Sequence, residues 1–225
     1  MAKQKLTPTQ NHKTYDLMLN DRELFPVLAL GPAGVSKTYG AIKRAISWLD
    51  EDNKKKVVMI RPNVSFADTL GYEKGSSREK LQNWIRPMEE CFIEQGITRN
   101  DLESWEKNKK IEYVALEHCQ GRSFHDSLII VDECQNLTFG QIRGLHTRVG
   151  RYSKLVFAGD IAQTSPRFKK SGLGEFKAMC DELGVDIHII NFTRDDILRS
   201  EIVKKAIVAY EDWEDMKFKG QVDFK

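Results

Sequence analysis

Short uninterrupted apolar runs alternate along the chain with stretches in which apolar residues return at helical spacing. The runs Val27 to Leu30, Val57 to Ile60, Ile111 to Leu116, Ser127 to Val131, Leu155 to Ala158 and Ile187 to Asn191 predict strands. Between them, Ile42, Ile46 and Leu49 form one helical stripe, and Leu81, Ile85, Met88 and Phe92 another. Ile142, Leu145 and Val149 make a third, Leu173, Phe176, Cys180 and Leu183 a fourth, and Ile202, Ala206 and Tyr210 run along the last helix. Strands that are apolar at every position have no face to give to water. The alternation therefore predicts an α/β fold, a parallel sheet covered by helices on both faces.

The section from Pro62 to Lys110 breaks this rhythm. It carries Gly71, Gly75, Ser76 and Ser77, a charged helix and a polar stretch around Trp105. It reads as an insertion at about 62–110 in a single domain spanning 1–225, a mobile or ligand-contacting subregion. A chain of 225 residues can bury a sizeable core without a second domain.

Composition narrows the function little. The formal net charge of +2 does not announce a nucleic-acid binder, although positive charge gathers at Lys54 to Lys56, Lys107 to Lys110, Arg148 to Lys154, and Arg167 to Lys170. No apolar run reaches membrane-spanning length and the polar start is not a secretory signal, which predicts a cytoplasmic protein with no membrane partner. Cys91, Cys119, Cys134 and Cys180 are widely spaced and read as buried reduced thiols. The five histidines lack metal-ligand spacing, and the adjacent His118 and Cys119 read as incidental.

Candidate chemistry begins after the first strand. The octapeptide GPAGVSKT, Gly31 to Thr38, differs at one position from the phosphate-loop pattern G-x-x-x-x-G-K-[ST], with Ser36 where the second glycine belongs. Here Gly31, Pro32, Ala33, Gly34, Val35 and Ser36 would wrap a phosphate chain, Lys37 would reach its outer phosphates, and the Thr38 hydroxyl would serve magnesium. The octapeptide alone also fits an ordinary glycine-containing turn. Serine at a left-handed position costs about 1 kcal/mol, which weakens a nucleotide site without abolishing it.

Two later strand ends weigh against chance. SLIIVDECQN, residues 127–136, ends an apolar strand in Asp132 and Glu133. On a strand neighbouring the phosphate loop, Asp132 would hold the magnesium water shell and Glu133 would deprotonate an attacking water. Taken singly, these acids could equally cap a helix. KLVFAGDIAQT, residues 154–164, ends another strand. Beside the Asp132 strand it would bring Gln163 to the γ-phosphate, though GDIAQ alone could be a turn.

With GPAGVSKTYGA, MIRPNVSFADTLGYEKG, WIRPMEECF, QGRSFHDSLIIVDECQN, TRVGRYSKLVFAGDIAQT and FTRDDILRSEIVKKAIVAYED in this order, the sequence resembles the PhoH-like family of P-loop ATPases. The core of that family is similar to the first RecA-like domain of superfamily I helicases. The resemblance covers most of residues 25–213, and it resembles the small core-only versions frequent in bacteriophages. It implies a RecA-like P-loop NTPase fold, ATP and magnesium (Mg2+) as ligands, and RNA or single-stranded DNA as partner. It further implies adenine reading by Gln10 within LTPTQNHKTY, a place near nucleic acid for Arg61, and transition-state stabilisation by Arg148 or Arg199. Either arginine could instead sit in a surface ion pair. A single RecA-like core lacks the second lobe of a helicase motor, and a homo-oligomeric ring lending an arginine would supply the missing wall. Two other functions remain open: a nucleotide-binding regulatory module slowed by Ser36, and a P-loop kinase.

Overall fold

The structure, a computed structural model, describes residues 7–62, 77–160 and 171–218. Six strands build the sheet: β1 (Val27–Leu30), β2 (Lys56–Arg61), β3 (Ile111–Ala115), β4 (Ser127–Val131), β5 (Lys154–Gly159) and β6 (His188–Asn191). Their order is β3-β2-β4-β5-β1-β6, and every pairing is parallel. The apolar runs thus became strands, and their uniform apolarity follows from burial on both faces. Val27 and Ala29 point into one core while Leu28 and Leu30 point into the other. Val57 and Met59 oppose Val58 and Ile60 in the same way.

The first core is covered by α1 (Gln10–Leu19), α2 (Lys37–Glu51), α3 (Ser77–Glu94) and α4 (Arg99–Lys107). The second is covered by α5 (Phe139–His146) and α6 (Gly172–Leu183). α3 and α4 lie between β2 and β3, inside the section read as an insertion, of which residues 63–76 are outside the described residues. The described residues include no helix long and apolar enough to cross a membrane. Cys119, Cys134 and Cys180 are buried, and Cys91 is half-buried.

Two expectations need correction. The strand bearing Asp132 is not the immediate neighbour of the phosphate-loop strand, because β5 lies between β4 and β1. The loop reaches Asp132 by arching over the end of β5. The stripe on α7 (Glu201–Phe218) faces outward: Ile202 is 83% exposed and Tyr210 73%, while Ile207 and Val208 pack against the first core. Apolar residues stand on several sides of this helix, so spacing alone did not select the buried one.

Candidate nucleotide site

All six strands are parallel, so their carboxyl ends share one edge, where a crevice collects loops from several strands. β1 runs out there into the phosphate loop. Gly31 has φ 146°, and a Cβ on it would lie 2.6 Å from Phe192 Cβ, so the chain can pass β6 only as glycine. Gly34 follows at φ 83° and Ser36 at φ 61°, ψ 30°. Serine therefore does occupy the left-handed position where the loop pattern has glycine, at a cost of about 1 kcal/mol.

The loop is gripped from two sides. The Leu198 N–H donates to Gly34 O at 2.9 Å, and the Gly31 N–H to Gly159 O at 3.3 Å. From α1, His12 Nε2 donates to Val35 O at 3.2 Å and the Tyr15 hydroxyl to Lys37 O at 3.1 Å. His12 Nδ1 accepts the Thr9 N–H, which leaves the ring proton on Nε2. Asp196, between the loop-contacting Leu198 and β6, accepts from Thr9 Oγ1 and, at 2.8 Å, from Asn11 Nδ2. This ties α1 to the segment that holds Gly34. The Val35 side chain is in the core, so only its backbone belongs to the site.

α2 starts directly behind the loop. Its first turn receives no side-chain cap from Ser36 and contains no acidic residue. Its leading amides and the positive end of its dipole are thus left for an anion. Lys37 Nζ donates to Gly31 O at 2.6 Å and Pro32 O at 2.8 Å, folding the ammonium back onto the loop. Burial pulls the Lys37 ammonium below its ordinary value, against the opposing charges of Asp160, Glu133 and Asp132. Lys37 also lines the cavity at the site.

At the end of β4 the Thr38 hydroxyl donates to Asp132 Oδ1 at 2.7 Å. Burial raises the Asp132 carboxyl above the usual range, and nearby Glu133 adds to this, while Arg61 and Thr38 pull the other way. A buried carboxylate facing a hydroxyl, with a second acid beside it, is a donor set that a hard divalent cation completes. Thr38 and Asp132 are the residues here whose oxygens would suit such a cation. Glu133 sits at φ 53°, ψ 37°, a left-handed conformation costing about 1–2 kcal/mol in a side-chain-bearing residue.

A cavity of about 1280 Å³ joins these parts, lined among others by Lys37, Thr38, Arg61, Asp132, Glu133 and Arg199. Gln10 is exposed at the start of α1 and does not line this cavity; Thr7, Pro8 and His12 do. Arg199 lies against the loop, its Cγ 3.0 Å from where a Gly34 Cβ would stand. Arg148 serves elsewhere, with Nη1 donating to Arg122 O at 3.3 Å. Gln163 falls outside the described residues. Sequence reasoning missed Gln135, which is buried in the site. Its only sequence signal was its place two residues after the acidic pair, among the other polar residues that follow SLIIV.

The match to the family described as "PhoH-like protein" runs over residues 4–211, nearly the whole chain. The chain belongs to the PhoH-like family. The PhoH-like protein of Bacillus subtilis (strain 168) is 32% identical over 205 residues, which are 90% of this chain and 63% of the relative. The chain thus spans less than two thirds of that relative's length. Among solved structures, the large terminase of a thermophilic bacteriophage in complex with ADP is 14% identical with a TM-score of 0.54, over 89% of this chain and 49% of the terminase. The Sulfolobus solfataricus SWI2/SNF2 ATPase core in complex with dsDNA is also 14% identical, with a TM-score of 0.51, over 88% of this chain and 47% of the other. This PhoH-like chain shares its fold, that of a RecA-like P-loop NTPase, with those two structures.

Proposed function

We propose that this PhoH-like chain binds ATP with magnesium and hydrolyses it, acting with RNA or single-stranded DNA. The observation that carries the reading is the meeting of Lys37, the Thr38–Asp132 pair and Glu133 in one cavity around an uncapped helix start. The phosphate chain lies on the α2 amides, with Lys37 released from Gly31 O and Pro32 O to the β- and γ-phosphates. Thr38, directly, and Asp132, through water, would hold magnesium, which when bound would supply charge neutralisation at the phosphate oxygens. Glu133 takes a proton from a water whose oxygen attacks the γ-phosphorus. The bond to the β–γ bridging oxygen breaks, and its electron pair leaves with ADP. Arg199, beside Gly34 and lining the cavity, is the arginine assigned to the charge that grows on the γ-phosphoryl group.

Support for the nucleic-acid half comes from Arg61 at the cavity and from the DNA-bound relative in fold. A slow nucleotide-binding module is the second reading. It is favoured by Ser36 at positive φ and by the hydrogen bonds that already occupy Glu133. Steady-state ATP hydrolysis, measured alone and with single-stranded RNA or DNA, separates the two. Turnover that either nucleic acid raises supports the coupled ATPase. ATP binding without turnover under all three conditions supports the module.

A further inference from the structure

Glu133 is held in a way that an activating base should not be. Its Oε1 accepts from Arg61 Nη2 at 3.2 Å, and its Oε2 accepts from Gln135 Nε2 at 2.6 Å. The Gln135 amide cannot turn round, because its Oε1 accepts the Asp160 N–H at 3.1 Å and so leaves only the NH2 end for Glu133. Gln135 is 2% exposed and fixed between two strand ends. Arg61 is the movable member: its side chain is 20% exposed, and its Nε stands 3.8 Å from Asp132 Oδ2, between two acids.

We propose that Arg61 and Gln135 hold Glu133 in a resting orientation, and that a phosphodiester of single-stranded nucleic acid, by taking Arg61, frees Glu133 to activate water. This rests on the ATPase reading above. A carboxylate bonded at both oxygens has its direction set by its partners and shares its charge with the guanidinium. Arg61 ends β2 at the open edge of the sheet, where it lines the cavity yet reaches solvent. A phosphodiester offers the guanidinium the same charge and forked geometry as the carboxylate. The exchange leaves Arg61 paired throughout, while Glu133 and Asp132 give up its charge. Gln135 and the backbone of Glu133 stay in place, and one bond separates the resting from the working arrangement. Arg61 is here a positioning residue that restrains the base.

The test compares the parent chain with Arg61→Ala and Arg61→Lys. ATP turnover is measured alone and with single-stranded RNA or DNA oligonucleotides, and binding of MgADP with and without aluminium fluoride is measured by calorimetry. Arg61→Ala is expected to raise the oligonucleotide-free kcat about tenfold, the order of one charge-assisted hydrogen bond, with little change in KM for ATP. It should no longer be stimulated. MgADP–aluminium fluoride should bind it about tenfold more tightly than the parent, while MgADP alone binds both equally. Arg61→Lys should fall between the two and reports independently should the alanine variant fold poorly. A lower kcat in Arg61→Ala would mean that the arginine serves the γ-phosphate directly, and overturns the proposal. An unchanged kcat overturns it too. If Arg61→Ala is faster but neither oligonucleotide moves or binds the parent, the restraint on Glu133 stands and the nucleic-acid trigger falls. If no variant hydrolyses ATP yet all bind it, the ATPase reading itself has failed.

Discussion

Helices α2 and α5 begin on the same sheet, and they begin differently. α5 closes its own start: Thr138 Oγ1 accepts the Gln141 N–H at 3.3 Å, and Gln141 Oε1 accepts the Thr138 N–H at 2.8 Å. α2 has no such reciprocal cap, no acidic residue in its first turn, and a left-handed Ser36 ahead of it. A helix start left open at the edge of a buried sheet gives up about 1 kcal/mol that a cap would supply. The protein accepts that cost where the amides face the cavity, and avoids it at the exposed start of α5. At the start of α2 the departure from the local capping rule coincides with the cavity.

The comparison can be broken most severely at Lys37. Lys37→Ala removes the cation that completes the open helix start, and affinity for a fluorescent ATP analogue should fall at least about 100-fold, the order of two charge-assisted contacts. Unchanged affinity would remove the phosphate-loop assignment. Ser36→Gly acts on the same end in the opposite sense. With Ser36 at φ 61°, glycine relieves the Cβ strain, and ATP should bind equally or up to about tenfold more tightly, with the unfolded-state entropy of glycine offsetting part of the gain. Substantially weaker binding would make the serine hydroxyl a ligand contact.

At the capped start the expectation is inverted. Thr138→Ala should cost about 1 kcal/mol of stability in chemical denaturation and leave ATP affinity unchanged. A loss of ATP affinity there would blur the distinction between the two helix starts. The smallest effect comes from the other end of α5. His146 lies between Phe157 and Phe176, with ring centroids 5.3 and 5.1 Å away, and burial holds its imidazole below the ordinary 6.5. The unfolded chain binds that proton more readily, so this stability is present above about pH 6.5 and is lost as pH falls through the folded value. His146→Leu should flatten the fall in Tm on acidification. An unaltered slope would assign acid sensitivity to other groups.

How much of this was legible in the sequence differs by kind of information. Strands showed clearly, since runs such as SLIIV can be buried on both faces only in a covered parallel sheet. The positive φ of Ser36 was readable too, because the loop pattern states which position needs glycine. Strand adjacency was not. Nothing local in SLIIV or KLVFAG says that β5 separates β4 from β1, since lateral order is decided by how the helices pack. The grip on Glu133 was hidden for the same reason: Arg61 lies 72 residues away in sequence, and its partner is chosen by the β2–β4 pairing. On α7 the signal was present but ambiguous, with Ile202 and Tyr210 as apolar as the Ile207 and Val208 that face the core.

Glu133, at its strained strand end, is assigned to hydrolysis and not to the grip on nucleotide. Glu133→Gln keeps the size of the side chain and one of its two acceptor oxygens but cannot accept a proton from water. With magnesium present, ATP binding and ATP turnover are measured on the parent and this variant under the same conditions. The account predicts affinity within about threefold of the parent and turnover reduced at least about 100-fold. Turnover at the parent rate would contradict it.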